Sequence, residues 1–161
     1  DTIEFYLNKK SFGWVVPESK NIARIGIVAH SNSNIIFKDF LNKIGKRLKL
    51  IEYQSGLIPV YDPRIKTQKD EIYIVGDAAT MVKATTYGGI IQGMIAAEEL
   101  SKAIINHEDY GLLWKNRIGK ELYLHLLIRK ILDKFSDEDC NELVRIASKD
   151  KVKNIVESLL Q

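Results

Sequence analysis

The sequence predicts an α/β chain of the mixed, α+β kind. Three observations carry this. Short β-branched and aromatic runs, separated by turn residues, fill Ile3 to Ala29. One strand-like run, Ile72 to Val75, passes through a glycine loop into a helix-like run from Ile90 to Asn106. From Tyr110 onward apolar residues recur at helical spacing.

The elements follow in order. Ile3 to Leu7, Phe12 to Pro17 and Ile22 to Ala29 read as strands, with Pro17-Glu18-Ser19-Lys20-Asn21 turning between the last two. Ile25, Ile27 and Ala29 alternate with Arg24, Gly26 and Val28, the pattern of a sheet with one buried face. Asn34 or Ser33 would cap a helix from Ile35 to Lys49, whose residues Ile36, Phe37, Phe40, Leu41, Ile44 and Leu48 share helical spacing. Leu50 to Tyr61 reads as extended, broken by Gly56 and Pro59, and Asp62 to Asp70 as a polar turn. After Tyr110, Trp114, Ile118, Leu122, Leu126, Ile128 and Leu132 lie on or near one stripe of a helical stretch from Leu112 to Phe135. Ser136 with Asp139 resembles a helix-starting capping box. Asp150 would cap a last helix carrying Val152, Ile155, Val156, Leu159 and Leu160. The expected divisions are 1–70, a sheet and helix; 71–106, a strand–loop–helix unit; and 107–161, a helical tail.

The middle unit carries the chemistry. A strand that ends at Gly76-Asp77 turns outward where α/β proteins bind ligands. Gly76 permits a sharp turn and close approach. Asp77 would accept hydrogen bonds from ligand hydroxyls. Gly88 and Gly89 would leave backbone N–H groups bare at a helix start, where the helix dipole favours negative charge. Many FAD enzymes hold the flavin's sugar-alcohol chain and ring edge in this way. A reduced flavin is negative along its pyrimidine edge, so such a helix would stabilise the reduced form. The plain alternative is a β-turn, a capping Asp and a glycine linker. Gly-Asp-Ala-Ala followed by Gly-Gly at this separation favours the flavin.

Composition excludes several classes. Hydrophobic residues make up 45% and charged residues 28%, which is ordinary for a globular chain. A net charge of +3 makes no nucleic-acid case. Cys140 is the single cysteine, which rules out an internal disulfide and fits a reducing, cytoplasmic setting. His30, His107 and His125 are scattered, with no metal-ligand spacing. No apolar run is long enough to span a bilayer. Lys43, Lys46, Arg47 and Lys49, and then Lys115, Arg117, Lys120, Arg129, Lys130 and Lys134, decorate helical segments. They read first as solvated faces and second as a peripheral contact with anionic lipid.

Two patches resemble the geranylgeranyl reductase family, above all its archaeal members acting on digeranylgeranylglycerophospholipids. Phe12-Gly13-Trp14-Val15-Val16-Pro17 is similar to the family's Tyr-x-Trp-x-Phe-Pro motif. Val75-Gly76-Asp77-Ala78-Ala79, continuing through Lys83-Ala84-Thr85-Thr86-Tyr87-Gly88-Gly89-Ile90, is similar to its Gly-Asp-Ala-Ala, Lys-Pro-Thr and Gly-Gly-Ile pattern. The resemblance implies the carboxyl-terminal portion of an FAD-dependent enzyme that saturates isoprenoid double bonds, with a hydroxybenzoate-hydroxylase-like flavoprotein fold lacking its amino-terminal half. It implies that Asp77 holds the ribityl chain. Gly89 and Ile90 would meet the flavin ring through their backbone, and Phe12, Trp14 and Pro17 would line the prenyl-chain cavity. Phe12 for Tyr, Val16 for Phe and Ala84 for Pro depart from the pattern, which bears on substrate identity more than on flavin.

The ten glycines never make the Gly-x-Gly-x-x-Gly turn that cradles a dinucleotide. The chain opens on Asp1, which reads as a piece of something longer. Alone it is expected to bind FAD poorly or not at all, and strand Ile72 to Val75 would lack sheet neighbours. The reductant would be NAD(P)H or ferredoxin. Alkene reduction also needs an acid or a stabilised positive charge. Tyr87 stands beside the glycines, but nothing in the spacing assigns it that role, so no catalytic residue is named. Lys83 reads as solvated, Cys140 as buried and inert, and His125 as structural. Two alternatives stay open: a flavin hydroxylase or electron-transfer dehydrogenase of the same fold, and a lipid- or partner-binding fragment without flavin.

Overall fold

A computed structural model describes residues 2–8, 11–45 and 48–149. Lys46, Arg47 and the expected last helix with its Asp150 cap lie outside the described residues. The architecture is mixed α/β, with two small sheets and five α-helices among the described residues. The chain divides into two compact units. One runs through Ile51 and resumes at Leu132; the other is Glu52–Ile131.

The first unit holds an antiparallel meander: β1 (Glu4–Asn8), β2 (Ser11–Pro17) and β3 (Ala23–Ala29). The β2–β3 turn is closed by the Glu18 and Ser19 N–H groups, both donating to the Ile22 carbonyl. Register places Tyr6, Gly13 and Ile27 side by side, and Phe5, Trp14 and Gly26 one step along, facing the other way. Helix α1 (Ser33–Ile44) lies over the Gly13 side. Its Phe40 ring takes the space above Gly13, where a Cβ would meet ring carbon at 2.7 Å. Tyr6 meets that ring edge-on at 5.1 Å. The alternation expected along β3 is weak, because residues 25–29 are all half-buried.

Two helix boundaries differ from expectation. The residue before α1 is Asn32, in the left-handed region and without a side-chain cap. The helix ends at Ile44 rather than Lys49, because Gly45 turns left-handed at φ 66°. Helix α5 (Asp137–Ala147) starts as expected, with a reciprocal capping box between Ser136 and Asp139. Cys140 is half-buried rather than buried.

In the second unit, residues 52–61 form no strand. The expected polar turn contains β4 (Gln68–Lys69), and β5 is shorter than expected, Ile72–Tyr73. The two pair antiparallel, so the anticipated lone strand finds its neighbour within the chain. Then come a 3-10 turn (Gly76–Ala79), α2 (Ile90–Asn106), α3 (Tyr110–Trp114), a π-helical segment (Lys115–Gly119) and α4 (Lys120–Leu132).

The π segment has a cause in the sequence. Tyr110, Trp114, Ile118 and Leu122 are buried at a strict four-residue spacing. In a 3.6-residue helix each such step overshoots a full turn by about 40°, so the row would wind off the core. A wider π turn rolls it back. Polar ties then lock the packing. The Trp114 indole N–H donates to Thr67 Oγ1 at 3.0 Å, and the Tyr110 hydroxyl donates to the Ile74 carbonyl at 3.2 Å. Arg117, expected on a solvated face, instead reaches Glu98 and the nearly buried Glu99 of α2. Hydrogen bonds from Arg117, then Lys102, hold the Glu99 carboxyl below its ordinary pKa.

Candidate functional site

The approach to the Gly-Asp turn is fixed from both sides. The Ile74 N–H donates to Thr67 O at 3.0 Å, and its carbonyl takes the Tyr110 hydroxyl. Burial pushes the Tyr110 pKa up to about 12, so that hydroxyl keeps its proton. Val75 is extended; Gly76 then turns at φ 65°. The turn presses on α2 at Gly93, where a Cβ would come within 3.3 Å of the Gly76 Cα. Gly93 drew no notice in the sequence, yet the pair sets how close turn and helix approach. The Thr80 N–H donates to Asp77 O, and the Met81 N–H to Gly76 O. Thr80 itself sits at φ 56°, rare for a β-branched residue. It is held by the Asp62 N–H, which donates to Thr80 Oγ1 at 3.1 Å.

The chain then buries Met81, Val82 and Ala84 and returns to the helix start. Here the predicted residues meet. A Cβ on Gly89 would lie 2.7 Å from Asp77 Oδ1 and 2.9 Å from Val82 Cγ2. Only glycine fits. The first bond within α2 is Gly93 N–H to Gly89 O, so the amides just before it have no partner inside the helix. No side chain caps this end, and its first turn has no acidic residue. Asp77 and Gly88 are exposed, Gly89 between Asp77 and Val82 is buried, and Ile90 is 83% exposed. Among the described residues the Asp77 carboxylate makes no hydrogen bond or ion pair. An exposed carboxylate beside a helix N-terminus that no side chain caps fits a ligand with both hydroxyls and an electron-rich edge.

The loop between Ala84 and Gly88 is tied to α4. Lys83 Nζ lies 2.5 Å from Glu121 Oε1, so this lysine is ion-paired and half-buried rather than freely solvated. Thr85 Oγ1 lies 2.6 Å from His125 Nδ1. Burial, then the Lys83 cation, lowers the His125 pKa, against the opposing pull of Glu121.

In the first unit Phe12 and Trp14 stand together on the sheet face away from Phe40, with ring centroids 5.8 Å apart. Both are half-buried. The Trp14 indole lies flat over Gly26, where a Cβ would come within 2.2 Å of it. Pro17 closes β2 opposite Ala23. The register adds Phe5, Leu7 and Val28 to this face, and Phe5 is 69% exposed. Sequence reasoning missed these three, although cross-strand pairing of β1 and β3 with Phe12 and Trp14 was their signal.

The comparisons with known proteins bear on the chain as a whole. No protein-family model matches the chain. It is 33% identical to digeranylgeranylglycerophospholipid reductase 2 of Methanothermobacter thermautotrophicus, over 90% of this chain and 43% of that protein. It is 34% identical to a digeranylgeranylglycerophospholipid reductase of Methanocaldococcus jannaschii, over 88% of this chain and 42% of that one. The chain is similar to the geranylgeranyl reductase family. It spans less than half the length of the curated relatives it matches. The fold also matches the crystal structure of a geranylgeranyl bacteriochlorophyll reductase-like protein from Thermoplasma acidophilum. That match has a TM-score of 0.77 at 23% identity, over 92% of this chain and 43% of that one. The family resemblance read from the Trp14 and Asp77 patches thus agrees with whole-chain similarity. Among the described residues no helix is long and apolar enough to cross a membrane.

Proposed function

We propose that this chain is the carboxyl-terminal portion of an FAD-dependent reductase that saturates geranylgeranyl double bonds of archaeal membrane lipids. Its complete form would have a hydroxybenzoate-hydroxylase-like fold. The observation that carries the cofactor assignment is the Asp77 carboxylate set against the side-chain-free face of Gly89. Asp77 accepts hydrogen bonds from the ribityl hydroxyls. The Gly89 and Ile90 amides, with the helix dipole behind them, hold the electron-rich edge of the ring. Gly76 lets the turn approach, and Gly88 leaves the loop's exposed corner bare. Bound FAD would supply the hydride, itself reloaded by NAD(P)H or ferredoxin.

The substrate assignment rests on the apolar sheet face. Phe12 and Trp14 wall the prenyl chain, joined by Phe5, Leu7 and Val28. Pro17, three residues beyond Trp14, falls by strand alternation on the Phe40 face and ends the strand instead of lining this wall. Such a wall excludes water and orients an alkene that offers no polar handle. The wider surface left by Val16 accommodates a branched chain. The protein works in the cytoplasm, in peripheral contact with the membrane that holds its lipid.

The test uses the chain in its natural full length, loaded with FAD and reduced with dithionite. It is offered geranylgeranyl lipid without oxygen, and oxygen without lipid. A mass gain of two hydrogens per double bond, with reoxidation dependent on the lipid, supports a reductase. Rapid reoxidation by oxygen, with the lipid unchanged, assigns a hydroxylase-type enzyme of the same fold instead.

A further inference from the structure

Residues 83–88 close on themselves. The Lys83 N–H donates to Gly88 O at 3.0 Å, and the Tyr87 N–H donates to Lys83 O at 2.8 Å. The first of these bonds fixes the carbonyl immediately before Gly89. On its far side the loop is tied to α4, through Glu121 to Lys83 and His125 to Thr85. Glu121 and His125 are one helical turn apart and face each other, with Oε1 and Nε2 separated by 3.9 Å. Ala84, between the two tied residues, is fully buried. On its inner side Gly89 has no slack, because Asp77 Oδ1 and Val82 Cγ2 already fill the space a side chain would need. If the outer tie is lost, Gly88 and Gly89 have only one direction to move, away from Asp77.

We propose that His125 is a positioning residue for the ligand-facing amides of Gly89 and Ile90, acting through Thr85 and the 83–88 loop. This rests on the flavin assignment above. In the neutral ring Nδ1 accepts from the Thr85 hydroxyl, while the Nε2 hydrogen faces Glu121. The charged groups facing the ring are Lys83 from the loop and Glu121 from its own helix. Burial, then Lys83, disfavours a charged ring there, and Glu121 beside Nε2 favours the single hydrogen on that nitrogen, which leaves Nδ1 as the acceptor. Asparagine places an acceptor oxygen close to the same point; alanine places none.

The experiment measures FAD affinity by fluorescence titration on the natural full-length chain. The variants are His125→Ala, His125→Asn, Thr85→Val and the Thr85→Val/His125→Ala pair. Amide hydrogen exchange across 86–91 and the melting temperature are followed in parallel. His125→Ala should weaken FAD binding about three- to tenfold, the worth of one hydrogen bond. It should also speed exchange at the loop. His125→Asn should restore most of the affinity, and Thr85→Val should add nothing on the His125→Ala background. Unchanged loop exchange in His125→Ala overturns the tie itself. Normal FAD affinity in His125→Ala, with faster exchange, overturns its role in positioning. If the unaltered chain takes up no FAD, the flavin assignment fails and the proposal fails with it, an outcome distinct from the other two.

Discussion

The Asp77 carboxylate occupies the space that a side chain on residue 89 would need, with Oδ1 2.7 Å from the position of a Gly89 Cβ. The next glycine along is under no such pressure. A Cβ on Gly88 would meet nothing nearer than Thr86 Oγ1, at 3.4 Å. Gly89→Ala should therefore push Asp77 or the helix start aside and lower FAD affinity at least tenfold, about 1.4 kcal/mol. Gly88→Ala should leave affinity within about twofold. Titrating both variants of the natural full-length chain checks the contrast. Equal losses would mean that the pair acts only as a flexible linker.

The sheet face gives a parallel prediction. Any side chain at residue 26 must displace the Trp14 indole, which lies across it. Gly26→Ala should destabilise the first unit by about 1–3 kcal/mol, the usual range for overpacking. It should also shift Trp14 emission, read in a Trp114→Phe background because the chain has two tryptophans. Urea denaturation with fluorescence detection measures both effects. An unmoved spectrum would show that the indole does not rest on residue 26.

His125 sets a pH dependence whose sign can be worked out. Burial, then Lys83, lowers its folded-state pKa below the ordinary 6.5. The unfolded chain therefore binds this proton more readily than the folded one. The stability it contributes is present above 6.5 and is lost as pH falls through the lowered folded value. Denaturation midpoints measured between about pH 7.5 and 5 should decline less steeply in His125→Asn than in the unaltered chain. Parallel curves would remove His125 from the account, since carboxylates contribute equally to both proteins.

The buried row along α3, the π segment and α4 predicts a large core effect. Leu122 is fully buried, one four-residue step beyond Ile118. Leu122→Ala should cost about 2–5 kcal/mol by leaving a cavity. Chemical denaturation of the second unit's transition checks it. A loss below about 1 kcal/mol would place Leu122 outside the main core.

Much of this was legible in the sequence because local signals set it. Turn residues after Pro17, the Ser136 capping box and the Ile90–Asn106 periodicity all gave elements close to those observed. What local patterns hide was missed. The end of α1 hung on Gly45 adopting a left-handed angle, against an apolar Leu48 that continued the helical spacing. The β4 strand has only Gln68 and Lys69, polar residues without strand propensity, and exists because it pairs with β5. The π segment was written in the four-residue spacing, which a 3.6-residue template blurs.

At the candidate site, Asp77 and Gly89 are adjacent in space because two separate bends bring them there; Gly76 spells the first, but the second passes through Tyr87 at φ 56°, which no glycine announces. Gly93, Thr85 and His125 support that geometry through contacts distant in sequence. No periodicity marks such residues. Lys83 looked like any loop lysine until α4 supplied Glu121.

The central claim is that residue 77 grips the cofactor's hydroxyls. The most direct measurement is the FAD dissociation constant of the natural full-length chain beside that of Asp77→Ala. Loss of the charge-assisted hydrogen bonds should weaken binding by about 1.5–3 kcal/mol, roughly 10- to 150-fold, with the melting temperature of the apo-protein unchanged. Equal FAD affinity in the two proteins would contradict the account.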